Sequence, residues 1–184
     1  MELTLVKEPL HRNLECAGVF FKNCNLYRVF DSDRLAGELI TNGIRTCFRC
    51  ESKEFRIINN NYFFFSKQYI INFSTKEIIA KFQWRSFTRF KKCFAAIFYQ
   101  GQEYRFNRLD RHKLVADKSY EDAYILSSEN KSILYFFNYT KFNRRSSANS
   151  IFPRFEGGIT SPANDIVVCL IGLFFIEYYL DNST

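Results

Sequence analysis

Between residues 81 and 113 nine lysines and arginines stand against two acids, Glu103 and Asp110, while the remainder of the chain carries seventeen charges of each sign. The formal excess of +7 is therefore confined to this one window. Clustered cations attract phosphates and other anions through their summed field. Arg85, Arg89, Lys91, Lys92, Arg105 and Arg108 are the candidate anion-binding residues. Two macromolecular ligands fit that chemistry. Anionic phospholipid headgroups at a membrane surface need little more than such a patch. Nucleic acid would also use the interleaved rings of Trp84, Phe87, Phe90 and Tyr104 as stacking platforms, but no recognised nucleic-acid motif accompanies them, which argues against it. A protein partner, or a merely solvated basic exterior, is the plainer alternative.

Other residue types with chemical potential are present without the company they need. Cys47-Phe-Arg-Cys50 is a C-x-x-C pair, yet structural zinc requires four ligands and no second pair or histidine couple lies at the right spacing. A redox role calls for a helix N-terminus in a βαβ setting, and the surrounding pattern is β. His11 and His112 each sit beside an arginine, outside any motif pairing a histidine with a nucleophile. Gly157-Gly158 stands alone, which is no phosphate-cradling loop. The expectation is a protein with no catalytic residues, no metal and no cofactor.

The elements that must carry these residues are mostly strands. A chain of 184 residues with 47% hydrophobic and 24% charged residues fits one globular domain, 1–184. Its 22 Phe and 11 Tyr favour strands, and 7 Gly with 3 Pro leave little room for linkers. MELTLVKEPLHR has charges where the apolar core of a secretory signal would lie. Together with six irregularly spaced cysteines, expected to be reduced thiols, this predicts a cytoplasmic protein. Short alternating stretches separated by turn residues run from about 17 to 140 as a meander. Asn42-Gly43 is a strong hairpin signal, and Asn59-Asn60-Asn61 and Gln100-Gly101 read as further turns. From 78 onward Ile78, Ala80, Phe82 and Trp84 share one face and Lys81, Gln83 and Arg85 the other. Residues 141–161 read as a long irregular connection, with one short strand possible at Ile151 and Phe152.

The closing segment, DIVVCLIGLFFIEYYL, decides the architecture. Ser161 as N-cap, Pro162 as first helical residue and Asp165 in the first turn predict a helix over about 162–180. It is apolar on every side, so protein or lipid must enclose it. A membrane span needs roughly 17–25 apolar residues. Only Ile166 to Ile176 precede Glu177, and no Lys or Arg follows Arg154 to flank an anchor. A core helix is expected in preference to a tail anchor or a partner surface, with no transmembrane span. Roughly a dozen strands and one such helix fit a closed antiparallel barrel with the helix as its filling.

This arrangement resembles the tubby-like barrel superfamily, which includes tubby proteins, phospholipid scramblases and LURP-one-related proteins. The resemblance rests on the meander typified by NLYRVFDSDRLAGELI and IINNNYFFFSKQYIINFSTKEIIAKFQW, and above all on SPANDIVVCLIGLFFIEYYL. It implies a mainly β fold, a closed twelve-stranded antiparallel barrel around a C-terminal hydrophobic helix, with some members binding phosphoinositides or acting at membranes. The chain departs from it by placing Cys169 and Glu177 in the helix, and it carries neither a calcium loop nor a cysteine cluster of the scramblase kind.

Overall fold

Residues 2–10, 13–62, 65–84, 95–108, 122–129, 132–138, 155–161 and 165–181 are described by the computed structural model. Side chains alternate along its strands between an interior and an exterior, as the period of two requires. The first strand, β1, is Glu2–Leu10, and a small hairpin follows from β2 (Leu14–Cys16) and β3 (Val19–Phe21). The long meander then comprises β4 (Cys24–Asp31), β5 (Arg34–Thr41), β6 (Thr46–Cys50), β7 (Lys53–Tyr62), β8 (Phe65–Asn72) and β9 (Ile78–Trp84). It continues through β10 (Ala95–Tyr99), β11 (Gln102–Arg108), β12 (Asp122–Ser127), β13 (Ser132–Asn138) and β14 (Phe155–Thr160) before the helix α1 (Ile166–Asp181). Every strand from β4 to β14 pairs antiparallel with its sequence neighbour, and β1 closes the ring by lying between β14 and β4. The result is the expected closed barrel of twelve strands, with β2 and β3 as a separate two-stranded ribbon.

Closure depends on two strands that the local pattern hid. β1 occupies the charged opening stretch, and β14 occupies Phe155–Thr160, inside what reads as an irregular connection. FEGGIT has two central glycines that weaken the strand preference of its Phe, Ile and Thr. It is held by register on both sides, with Ile159 opposite Leu3 and Tyr135. Ile151 and Phe152 lie outside the described residues. The Asn59-Asn60-Asn61 turn is likewise corrected: all three asparagines are within β7, paired with Gln68, Lys67 and Ser66. Eight consecutive pairs with β8 outweigh a local turn preference. At Asn42-Gly43 the turn forms as expected, with Asn42 Oδ1 accepting the backbone N–H of Ile44 at 3.2 Å and of Arg45 at 2.8 Å. Gln100 and Gly101, both at positive φ, make the tight turn between β10 and β11.

Inside the ring sits α1. From Val168 to Glu177 every one of its residues except the side-chain-free Gly172 contributes a buried side chain. Phe175 meets Phe82 of β9 edge-on at 5.0 Å and Phe106 of β11 at 5.7 Å. Tyr135 of β13 donates to the Cys169 carbonyl at 3.1 Å, and Glu177 binds side chains of β1 and β4. Contacts on opposite walls mean that the helix is surrounded, which is the enclosure its all-round hydrophobicity demands. Two glycines allow the fit. A Cβ on Gly172 would stand 2.0 Å from Tyr135 Oη, and one on Gly37 would stand 2.9 Å from Ile166 and Leu170. The helix cap is Asp165 and not Ser161: its Oδ1 accepts the Val168 N–H at 3.2 Å and its carbonyl the Cys169 N–H at the same distance. Ser161 lies buried and hydrogen-bonded to the Cys169 thiol. Pro162 lies outside the described residues. No helix among the described residues is long and apolar enough to cross a membrane.

Candidate functional site

The interior is chemically quiet. Near the C-terminal end of α1 the Glu177 carboxylate is 2% exposed and receives Lys7 Nζ at 2.9 Å, Asn25 Nδ2 at 2.6 Å and the Tyr27 hydroxyl. Lys7 also lies over the Tyr27 ring, 5.0 Å from its centroid. A buried charge persists only when paired and hydrogen-bonded, and this carboxylate is both. At the opposite end, burial followed by the negative charge of Asp165 raises the Tyr99 hydroxyl. Burial, with help from Glu51 and Asp165, pushes the Cys50 thiol up to about 11. Burial pushes Cys169 up to about 12, against the opposing hydrogen bond from Ser161. These groups stay protonated at neutral pH, which makes the thiols poor nucleophiles and poor metal ligands. Among the described residues no three His, Cys, Asp or Glu side chains group so as to hold a metal ion.

The C-x-x-C pair is divided by its own strand. Residues three apart on a strand point to opposite faces, so Cys50 joins the interior core with Phe48 while Cys47 joins a second, outer core. That outer core was not legible as a unit in the sequence. The β2–β3 ribbon lies against the outside of the barrel, and Cys16, Val19 and Phe21 pack there with Leu26 of β4, Ile40 of β5 and Cys47 of β6. Two bonds from β6 and β7 fix the ribbon on either side of Cys16: Arg49 Nη2 donates to the Glu15 carbonyl at 2.9 Å, and the Ala17 N–H donates to Glu54 Oε2 at 2.7 Å. The Cys16 and Cys47 thiols hydrogen-bond to each other. That bond, helped by Arg49 and opposed by burial and Glu54, lowers Cys16 below the usual thiol range. The same bond and burial raise Cys47. Cys16 is the one described cysteine shifted downward.

Beside this core the exterior carries a row of alternating charges. Arg28 meets Glu8 at 2.7 Å and Glu38 at 3.2 Å, and Arg49 meets Glu38 at 3.6 Å and Glu54 at 3.2 Å. From β4 to β7 these are direct cross-strand neighbours, so the face neutralises itself and offers no field to an anion. The predicted basic face is described only in part. Lys81 and Arg105 share the outer surface of β9, β10 and β11, with Phe98 between the strands and 42% exposed. Arg105 pairs with Glu103 at 3.1 Å, which offsets its charge locally. Arg108 ends β11. Arg85, Arg89, Lys91 and Lys92 lie outside the described residues, as do Phe87, Phe90 and the Trp84 side chain. Tyr104 is corrected: it is 5% exposed and part of the interior core, so it cannot stack on a base.

A cationic groove that the sequence did not single out opens where the β5–β6 hairpin meets the ribbon. Arg45 and Arg56 line it, with Thr46, Asn59 and the apolar Val19, Ile57 and Ile58, around a volume of about 270 Å³. Ile44 at the hairpin tip is 81% exposed on its rim. Arg45 and Arg56 are eleven positions apart in sequence, with a strand and a turn between them, and no short motif joins them. No family model, curated protein or solved structure matches the chain.

Proposed function

We propose that the protein is a non-enzymatic, tubby-like barrel that binds anionic phospholipid headgroups on its outer surface. The groove between Arg45 and Arg56 carries this reading. Two guanidinium groups present the fork geometry suited to phosphate oxygens. The volume sits just under the range of roughly 300–1,000 Å³ typical of small-molecule pockets, a size for a headgroup. An exposed isoleucine at the adjoining hairpin tip is placed to enter the boundary between headgroups and acyl chains. The interior supports the same reading by exclusion, since α1 occupies it and Glu177 has its partners. The cation excess of residues 81–113 adds a long-range field that draws the protein towards a negative surface.

Vesicle sedimentation is the direct test. Phosphatidylserine-containing vesicles should retain the protein several-fold better than neutral phosphatidylcholine vesicles, and added salt should release it. Arg45→Glu with Arg56→Glu should remove most of the difference without unfolding the barrel. Equal partitioning onto both vesicle types would sink the proposal.

A further inference from the structure

We infer that Cys16 and Cys47 form an oxidation site, in which a hydroperoxide converts the two thiols into a disulfide joining the β2–β3 ribbon to the barrel wall. Three observations meet at this point. The thiols belong to different elements and touch inside one small core. The backbone on either side of Cys16 is bonded to Arg49 and Glu54, which holds Cys16 over β6, where Cys47 and Arg49 share the outer face. Arg49, which donates to the Glu15 carbonyl next to Cys16, also sets a cation beside the Cys16 sulfur.

That placement makes Cys16 the thiol that reacts first. The Cys16 thiolate attacks one oxygen of the peroxide; an S–O bond forms, the O–O bond breaks, and the departing alkoxide or hydroxide takes a proton from water. Sulfur loses two electrons and the peroxide gains them, leaving a sulfenic acid. Cys47 then attacks that sulfur; the S–S bond forms, the S–O bond breaks, and hydroxide leaves as water with the proton Cys47 gives up. The neighbouring Arg49 favours the anionic form in the first step.

Both thiols are almost fully buried, Cys16 at 1% and Cys47 at 0% exposure. Access comes from the ribbon itself. Two strands of three residues each are marginal alone, and such an appended unit opens more easily than the closed barrel beneath it. The disulfide would end that opening. Cys24 shares the core but is raised by burial, which sets it apart from Cys16.

The reduced protein, treated with hydrogen peroxide and digested without reductant, should yield one major linked peptide pair, Cys16 with Cys47. In Cys47→Ala a dimedone adduct should accumulate on Cys16. On the untreated wild type, pulse alkylation under native conditions should label Cys16 at least about tenfold faster than Cys50 or Cys169, a measurement that needs no variant to fold. A Cys16–Cys24 link, labelling of Cys16 no faster than of the interior thiols, or no disulfide at all would each overturn the inference.

Discussion

Strands β4 to β6 build two cores with alternate residues of the same sequence, and β7 adds to the inner one. Tyr27, Leu39, Phe48 and Phe55 turn inward towards α1, while Leu26, Ile40 and Cys47 turn outward beneath the β2–β3 ribbon. The inner core is large, drawn from all twelve barrel strands, and its one described ion pair, Lys7 with Glu177, is buried and matched. The outer core is small, covered by two three-residue strands, and bordered by Arg49 and Glu54. Enclosure on all sides suppresses reactivity, as the raised thiols of Cys50 and Cys169 record. In the outer core Cys24 and Cys47 are raised as well, and Cys16, which has Arg49 beside it, is lowered. The comparison assigns the larger share of stability to the inside of this barrel.

The most severe test of that assignment is Glu177→Ala, which leaves Lys7 buried without its carboxylate. It should cost about 3–5 kcal/mol in denaturant unfolding, and the paired change Lys7→Met with Glu177→Leu should recover most of the loss. A cost below about 1 kcal/mol would mean that water reaches the inner ion pair.

Truncating one large ring in each core sharpens the contrast. Phe175→Ala should lower global stability by about 3–5 kcal/mol. Phe21→Ala should instead act locally, raising hydrogen exchange at β2 and β3 while leaving the barrel amides largely protected. Equal global losses would show the ribbon to be an integral part of the barrel's cooperative unit.

Next in size is Gly172→Ala, whose new methyl would collide with the Tyr135 ring. An over-packing cost of about 1–3 kcal/mol is expected in thermal or denaturant unfolding. The same substitution at Gly101, where a Cβ meets no atom within 4 Å, would act only through its positive φ and cost about 1 kcal/mol.

The smallest effect is on pH dependence. Burial pushes Cys50 and Cys169 in the folded protein up to about 11 and about 12, above the ordinary thiol value of 9.0. Between those limits the native state keeps protons that the unfolded chain has released, so stability must fall as pH rises through 9 towards 11 and 12. Urea unfolding at pH 8.5 and 9.5 should show a loss on the order of 1–2 kcal/mol, reduced in Cys50→Ala. A flat profile would mean that these thiols are less enclosed than the inner core implies.

Much of the barrel was legible in the residues. The alternation in IIAKFQW, the Asn42-Gly43 hairpin and the all-round apolar helix each depend on near neighbours in sequence, where period and turn chemistry operate. β14 was not legible, because FEGGIT becomes a strand only when β1 and β13 supply both sets of partners. Asn59 to Asn61 misled for the same reason. The candidate sites were less legible still. The C-x-x-C spacing drew attention to Cys47 and Cys50, but a strand separates their faces, and the true neighbour of Cys47 is Cys16, thirty-one positions earlier. Arg45 and Arg56 converge only after the turn between β6 and β7 reverses the chain between them.

The sequence by itself determined that this protein is a barrel of antiparallel strands enclosing its own last helix, because hydrophobic periodicity is a local property and a helix apolar all round has few places to go. The tertiary structure alone decided which thiols meet, which charges cancel and where two arginines share a groove. Those depend on register and closure, which bring together residues that no spacing in the chain relates.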